Sequence, residues 1–138
     1  MYTFFQVVLY SLLQVATVTS EAVRPTPLLV SSLIPQKVLA TFNALPNPVK
    51  YPEYTTTDGI WQYFSPDTWT SGFFPASLYA LNTRFGLCYS SATNGLGGAD
   101  WLSLGRAASS SLIPLEMKTS VGHDVGFLSF PFVEEWNM

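Results

Sequence analysis

The only histidine of the chain, His123, is followed directly by an aspartate, Asp124. The pair lies in the segment V-G-H-D-V-G-F-L, residues 121–128, in which Phe127 and Leu128 come shortly afterwards. A carboxyl group beside large apolar side chains loses hydration, which disfavours its ionised form and lets it donate a proton near neutral pH. His123 could orient that carboxyl group or contact a substrate oxygen. The same residues are also compatible with an aspartate that caps a turn and a histidine on the surface.

A second group of residues suited to binding is aromatic. Trp61, Tyr63, Phe64 and Trp69 lie within nine positions of one another. Aromatic faces stack on the C–H faces of sugars, and an indole N–H can donate a hydrogen bond to a hydroxyl. The cluster therefore fits a carbohydrate platform, and it equally fits ordinary core packing.

The composition argues against several other functions. Charged residues make up 11% of the chain, and its six Lys and Arg residues are scattered, so nucleic acid is not expected as a partner. The single cysteine, Cys88, has no His or Cys neighbour at metal-ligand spacing, so neither an internal disulfide nor a metal site is expected. The sequence also lacks the G-x-S-x-G, G-x-x-x-x-G-K-[ST] and G-x-G-x-x-G motifs.

Residues 1–20 form an uncharged, apolar segment that differs from the rest of the chain. Val18 and Ser20 have the small-residue spacing that precedes a signal-peptidase cut, although no Lys or Arg stands near the start. The apolar run is short for a membrane span, and Gln6 and Gln14 interrupt it. We therefore expect a cleaved signal peptide, a secreted mature chain and no membrane association after cleavage. The alternative is a buried or anchoring first helix.

The elements that must position these groups are mainly helical. Apolar residues at helical spacing predict a helix from about 73 to 85, with Gly86 near its end. Asp100 can cap a second helix, which Pro114 ends, so residues 73–113 read as a helical hairpin. Residues 125–133 fit either a buried strand or the start of another helix.

The region before this hairpin is rich in proline and gives weaker signals. Apolar spacing predicts two short helical pieces, because Pro35 should kink or split a longer helix. An extended segment at 51–54 and a loop over 55–68 follow, with Asp58-Gly59 as a turn. Since regular alternating strands are few, the expected fold class is all-α.

Two motifs resemble those of a known family. The segment W-T-S-G-F-F-P-A-S-L-Y, residues 69–79, and the segment H-D-V-G-F-L, residues 123–128, resemble the signatures of the unsaturated glucuronyl hydrolases, glycoside hydrolase family 88. The motifs come in the family's order with a helix between them, and the resemblance covers roughly residues 28–136. One departure is the small-residue loop at 88–98, where the family usually has a short T-G-D turn.

The resemblance implies a partial (α/α)6 barrel of the six-hairpin glycosidase type, with only the first hairpins present. Residues 21–138 would then be the N-terminal part of a truncated catalytic domain. It implies removal of the unsaturated uronic acid from the non-reducing end of lyase-generated oligosaccharides, by hydration of a vinyl ether and without a cofactor. Asp124 carries over as a catalytic carboxylate, and His123 and Trp69 as residues near the sugar. A second essential aspartate is expected beyond residue 138, so we expect negligible activity and poor folding from this chain alone.

Two other interpretations stay open at this stage. One is a non-catalytic secreted module that binds carbohydrate through the aromatic residues. The other is a small secreted structural protein whose resemblance to the family is accidental. The polysaccharide source of the substrate and the oligomeric state do not follow from the sequence.

Overall fold

The computed structural model describes residues 31–87 and 96–137. The expected signal peptide, Cys88 and most of the loop at 88–98 lie outside the described residues. The described elements are four α-helices, two strands and two 3-10 helices: α1 Leu33–Asn43, β1 Tyr51–Thr55, β2 Trp61–Phe64, α2 Phe73–Leu87, α3 Trp101–Ser109, the 3-10 helices Ile113–Glu116 and Gly122–Ser129, and α4 Phe130–Trp136.

The fold is mostly helical with a small sheet, so the all-α expectation is corrected. β1 and β2 form an antiparallel pair in which Tyr51 faces Phe64 and Thr55 faces Trp61, with a register irregularity between Pro52 and Tyr54. The Asp58-Gly59 turn connects them, as predicted. The sequence predicts a loop at residues 61–64, where four residues are too few to show the alternation of a strand. The aromatic side chains Trp61, Tyr63 and Phe64 nevertheless favour a strand once a partner strand is available.

Pro35 does not split α1. The helix begins at Leu33, so this buried proline lies in its first turn, where a missing backbone N–H breaks no helical hydrogen bond. The first of the two helical pieces expected here falls largely outside the described residues.

The helical hairpin is confirmed. α2 runs to Leu87, close to the predicted end, and Asp100 caps α3 by accepting a hydrogen bond from the backbone N–H of Ser103 at 3.0 Å. Between the two helices lies one buried core, formed by Leu78, Leu81, Leu96, Trp101 and Ala108. α3 ends at Ser109, before the predicted boundary, and Pro114 falls inside the following 3-10 helix.

Residues after this hairpin turn back across it. The 3-10 helix Gly122–Ser129 runs directly into α4, which packs against α2. Leu128 joins Tyr51 and Leu112 in a second buried cluster, so this cluster connects the sheet, the end of the hairpin and the 3-10 helix. Of the two alternatives for residues 125–133, the helical one is therefore correct. No helix within the described ranges is both long and apolar enough to cross a membrane.

Candidate functional site

The structure brings the two motifs into direct contact. Gly72, in the turn before α2, lies against the backbone of the 3-10 helix Gly122–Ser129. A Cβ atom at Gly72 would overlap the carbonyl oxygen of Phe127 and lie 3.1 Å from the Cα of Leu128. Only glycine permits this close approach, because a larger residue would force the two backbones apart. We call this contact the motif junction.

Four aromatic rings surround the motif junction, and we call them the aromatic cluster. Phe73 and Phe127 lie with ring centroids 5.5 Å apart, and Trp69 lies 5.9 Å from each of them. Phe130 completes the group at 5.5 Å from Phe73 and 5.4 Å from Phe127. These separations and tilted geometries are those of favourable aromatic pairs. Trp69 is nevertheless 46% exposed, so the cluster presents aromatic surface to solvent.

The 3-10 helix aligns Asp124 with this cluster. Side chains three residues apart eclipse one another in a 3-10 helix, so Asp124 and Phe127 lie on one face. Val125 and Leu128 share the next face and pack into the second buried cluster. The packing of Val125 and Leu128 thus fixes the orientation of the 3-10 helix and places the Asp124 carboxyl group on the face that Phe127 shares.

The His-Asp pair itself lies at the surface, with His123 almost fully exposed and Asp124 half-buried. His123 Nε2 lies 3.5 Å from Asp124 Oδ1, and the two side chains are 94% and 35% exposed. Gly122 begins this helix with φ of 70°, in the left-handed region that favours glycine. Asp124 thus keeps about a third of its side chain in water, because Leu128 and not Asp124 occupies the buried face.

Asp67 holds the segment that leads into the His-Asp pair, and the sequence analysis missed it. Its carboxylate accepts hydrogen bonds from the Thr119 hydroxyl, from the Ser120 backbone N–H at 3.0 Å and from the Ser120 hydroxyl at 2.6 Å. The hydrogen bonds from Ser120 and Thr119 lower the pKa of Asp67. Because Trp69 follows Asp67 by two residues and His123 follows Ser120 by three, this clamp joins the segments that lead into the two motifs. Its sequence signal, an Asp in S-P-D-T, is that of an ordinary turn.

Glu135 anchors α4 to the hairpin. It accepts hydrogen bonds from the Tyr79 hydroxyl at 2.7 Å and from Arg106 Nε at 2.7 Å. These bonds, from Arg106 first and Tyr79 second, lower the pKa of Glu135. Burial, with the hydrogen bond to Glu135, raises the pKa of Tyr79 to about 12. Glu135 therefore binds both helices of the hairpin.

The aromatic residues singled out from the sequence do not form one platform. Trp69 belongs to the aromatic cluster at the motif junction, whereas Trp61, Tyr63 and Phe64 lie in β2. Trp61 instead lines a separate cleft that contains Phe73. Phe130 was missed as a member of the cluster, because no local pattern shows that α4 begins beside Phe73.

The arrangement can bind a flat, partly apolar ligand and offer it a carboxyl group and an imidazole. In the described part of the chain, no group of three or more His, Cys, Asp or Glu side chains is placed to hold a metal ion. No protein-family model, curated protein or solved structure matches this chain. The chemistry of the site therefore has to be argued from its own residues.

Proposed function

We propose that the motif junction is part of a binding site for the unsaturated uronic acid at the non-reducing end of lyase-generated oligosaccharides. The observation that carries the proposal is the contact of Gly72 with Phe127 and Leu128. This contact places Trp69 of the first motif beside the face that bears Asp124 in the second. The resemblance of each motif to a family signature is independent of that contact, so their meeting in space supports a common site.

In the proposed reaction Asp124 donates its proton to C4 of the C4=C5 double bond. Water adds at C5, and the proton that it loses goes to a carboxylate base, so the net change is addition of one water molecule. The resulting hemiketal opens and the glycosidic bond breaks. The bound sugar would cover the exposed third of the Asp124 side chain and exclude water from the site of proton transfer.

The other two residues orient the sugar. Trp69 offers an exposed face for the C–H surface of the ring, and its indole N–H can reach a hydroxyl. His123 lies beside Asp124 and almost fully in solvent, which suits contact with a sugar oxygen. We propose that α2 and α3 form one hairpin of an (α/α)6 barrel, and that a second carboxylate outside these 138 residues completes the catalytic pair.

The test is a titration of the full chain with an unsaturated uronate disaccharide, in which the tryptophan indole signals are monitored by 15N–1H NMR. We expect the Trp69 signal to shift and saturate, and Trp69→Ala to abolish binding. Trp136→Ala is the matched control, because Trp136 is 90% exposed and lies outside the aromatic cluster. Asp124→Asn should preserve binding. Absence of any Trp69 response, or equal loss of binding in the Trp136 variant, would refute the proposed site.

A non-catalytic carbohydrate-binding module is the second candidate. The exposure of His123 and Asp124 favours it, because proton transfer to carbon requires a site with little water. Under this alternative the chain binds saturated and unsaturated disaccharides equally well. Under the hydrolase proposal the unsaturated sugar is preferred, and a chain completed by the second carboxylate removes the ultraviolet absorbance of the double bond. In that completed chain Asp124→Asn should abolish the absorbance loss, whereas Glu134→Gln should leave it unchanged.

We also propose that the chain is secreted after cleavage of residues 1–20, since this segment has the apolar centre and small-residue end of a signal peptide. N-terminal sequencing of the protein from the culture medium of a secreting host tests this. A mature N-terminus near residue 21 is expected. Retention of an intact N-terminus inside the cell would contradict it.

A further inference from the structure

A cleft of about 690 Å³ lies between α1, the β-hairpin and α2, apart from the His-Asp pair. Its walls include Lys37 and Thr41 from α1, Glu53 from β1, Trp61 from β2, and Phe73 from α2. Its volume falls in the range of small-molecule sites, which combine apolar walls with a few polar groups. Trp61 is 41% exposed at this cleft although it belongs to a strand pair.

Glu53 gives the cleft a specific chemical requirement. Its Oε2 atom is buried and has no hydrogen-bond partner among the described residues. A buried acceptor without a partner is uncommon in folded proteins, because it loses its water without compensation. A ligand that brings a hydroxyl donor to this carboxylate would satisfy it.

Lys37 and Trp61 narrow the class of ligand further. The Lys37 ammonium on the same cleft disfavours a cationic ligand, and it favours one with a carboxylate. Trp61 favours a flat C–H face over a highly charged small anion. Hydroxyl donors, one carboxylate and a flat C–H face occur together in a sugar acid.

We propose that this cleft is a second binding site, specific for a sugar acid. A ligand hydroxyl donates to Glu53, the ligand carboxylate pairs with Lys37, and the ring stacks on Trp61. None of these three residues belongs to either motif, so the site does not depend on the proposed role of Asp124. Phe73 lines the cleft and belongs to the aromatic cluster, so the two sites adjoin at this residue.

The experiment is titration of the full chain with sodium D-glucuronate, with the indole signals followed by 15N–1H NMR. A ligand of this size with few strong contacts should bind with a Kd on the order of 1 mM. We expect a saturable shift of the Trp61 signal and no response at Trp136. D-Glucose, which lacks the carboxylate, should bind roughly tenfold more weakly.

Three variants test the assigned contacts. Lys37→Met and Glu53→Gln should each weaken glucuronate binding roughly tenfold, because each removes one charge-assisted contact. Lys118→Met is the matched control and should bind as the unchanged chain does, since Lys118 does not line the cleft. Amide-signal dispersion confirms that each variant is folded. No Trp61 shift at saturating glucuronate, or unchanged binding in both Lys37→Met and Glu53→Gln, would overturn the proposal.

The same titration separates this site from the motif junction. Asp124→Asn and Trp69→Ala should leave the Trp61 response to glucuronate unchanged. If Trp69→Ala abolishes it, glucuronate binds at the motif junction and the second site is refuted. If the unsaturated disaccharide fails to shift Trp69 while glucuronate still shifts Trp61, the proposed function fails and the second site stands.

Discussion

Trp69 and Trp101 lie near the beginnings of two successive helices, α2 and α3, yet one is exposed and the other is buried. Trp101 is 2% exposed, and its indole N–H donates a hydrogen bond of 2.9 Å to the Leu96 carbonyl. It lies in the core of the hairpin. Trp69 is nearly half exposed and packs against the rings of Phe73 and Phe127 within the aromatic cluster.

The difference separates residues that build the fold from residues available for binding. Burying an indole and satisfying its N–H stabilises the folded chain, as at Trp101. An aromatic cluster left partly in water contributes less to stability, and contiguous exposed apolar surface often marks a binding site. Trp69 and its neighbours are therefore the region in which substitution should affect binding more than folding.

The largest expected effect tests this separation directly. Trp101→Ala should lower the free energy of unfolding by about 3–5 kcal/mol, because it leaves a cavity in the hairpin core. Trp69→Ala should cost only about 1 kcal/mol, since roughly half of its surface is already in water. Urea unfolding followed by circular dichroism measures both. Equal losses in the two variants would show that the aromatic cluster is part of the structural core.

The next effect concerns the motif junction. Gly72→Ala should lower the free energy of unfolding by about 3 kcal/mol, because its methyl group overlaps the Phe127 carbonyl and the backbones must separate. Gly126→Ala, in the second motif, is the control: a Cβ there has nothing within 4 Å. Thermal unfolding of both variants gives the comparison. A Gly72→Ala variant as stable as Gly126→Ala would refute the close approach.

The stability of the protein at alkaline pH should depend on two buried tyrosines, Tyr51 and Tyr79. Burial raises the pKa of Tyr51 to about 12, and the pKa of Tyr79 is likewise about 12. Both pKa values exceed the unfolded value near 10, so their stabilising contribution is complete below pH 10 and is lost as the pH rises towards 12. The loss is at most about 1.4 kcal/mol per pH unit for each tyrosine.

Phenylalanine variants check this assignment. Tyr51→Phe and Tyr79→Phe should each flatten the fall in urea-unfolding stability between pH 10 and 12. Tyr54→Phe is the matched control, because Tyr54 is 54% exposed and should leave the profile unchanged. A profile that neither buried substitution alters would contradict the burial of both hydroxyls.

The smallest effect belongs to the Asp67 clamp. Asp67→Asn should increase hydrogen exchange at the Ser120 amide roughly tenfold, while the hairpin core stays protected, because only a local opening becomes easier. The lowered pKa of Asp67 predicts the pH dependence: the clamp is complete above the unfolded value near 4 and weakens as the pH falls through the folded value. Asp58→Asn, in the exposed turn between β1 and β2, is the control and should leave exchange at Ser120 unchanged. Unchanged exchange at Ser120 would show that the clamp does not hold the second motif.

Local sequence patterns predicted the elements that depend on local physics. The α2 helix, the Asp100 cap and the Asp58-Gly59 turn follow from spacing and from side chains that hydrogen-bond nearby backbone. β2 did not follow, because its four residues form a strand only when paired with β1. Glu135 did not follow either, because an acidic pair at the end of a chain carries no sign of the Tyr79 and Arg106 that it meets.

The sequence by itself determined which residues could act: one histidine, its neighbouring aspartate and two glycine-containing aromatic motifs. It left open whether residues 125–133 form a strand or a helix, so the alignment of Phe127 with Asp124 and the place of Leu128 on the adjoining face came from the 3-10 helix of the structure. Only the tertiary structure decided that Gly72 meets Phe127, that Asp67 clamps Ser120, and that Asp124 stays partly in water. These are contacts between segments far apart in the chain, and they depend on how α4 and the hairpin pack, which no local pattern of side chains encodes.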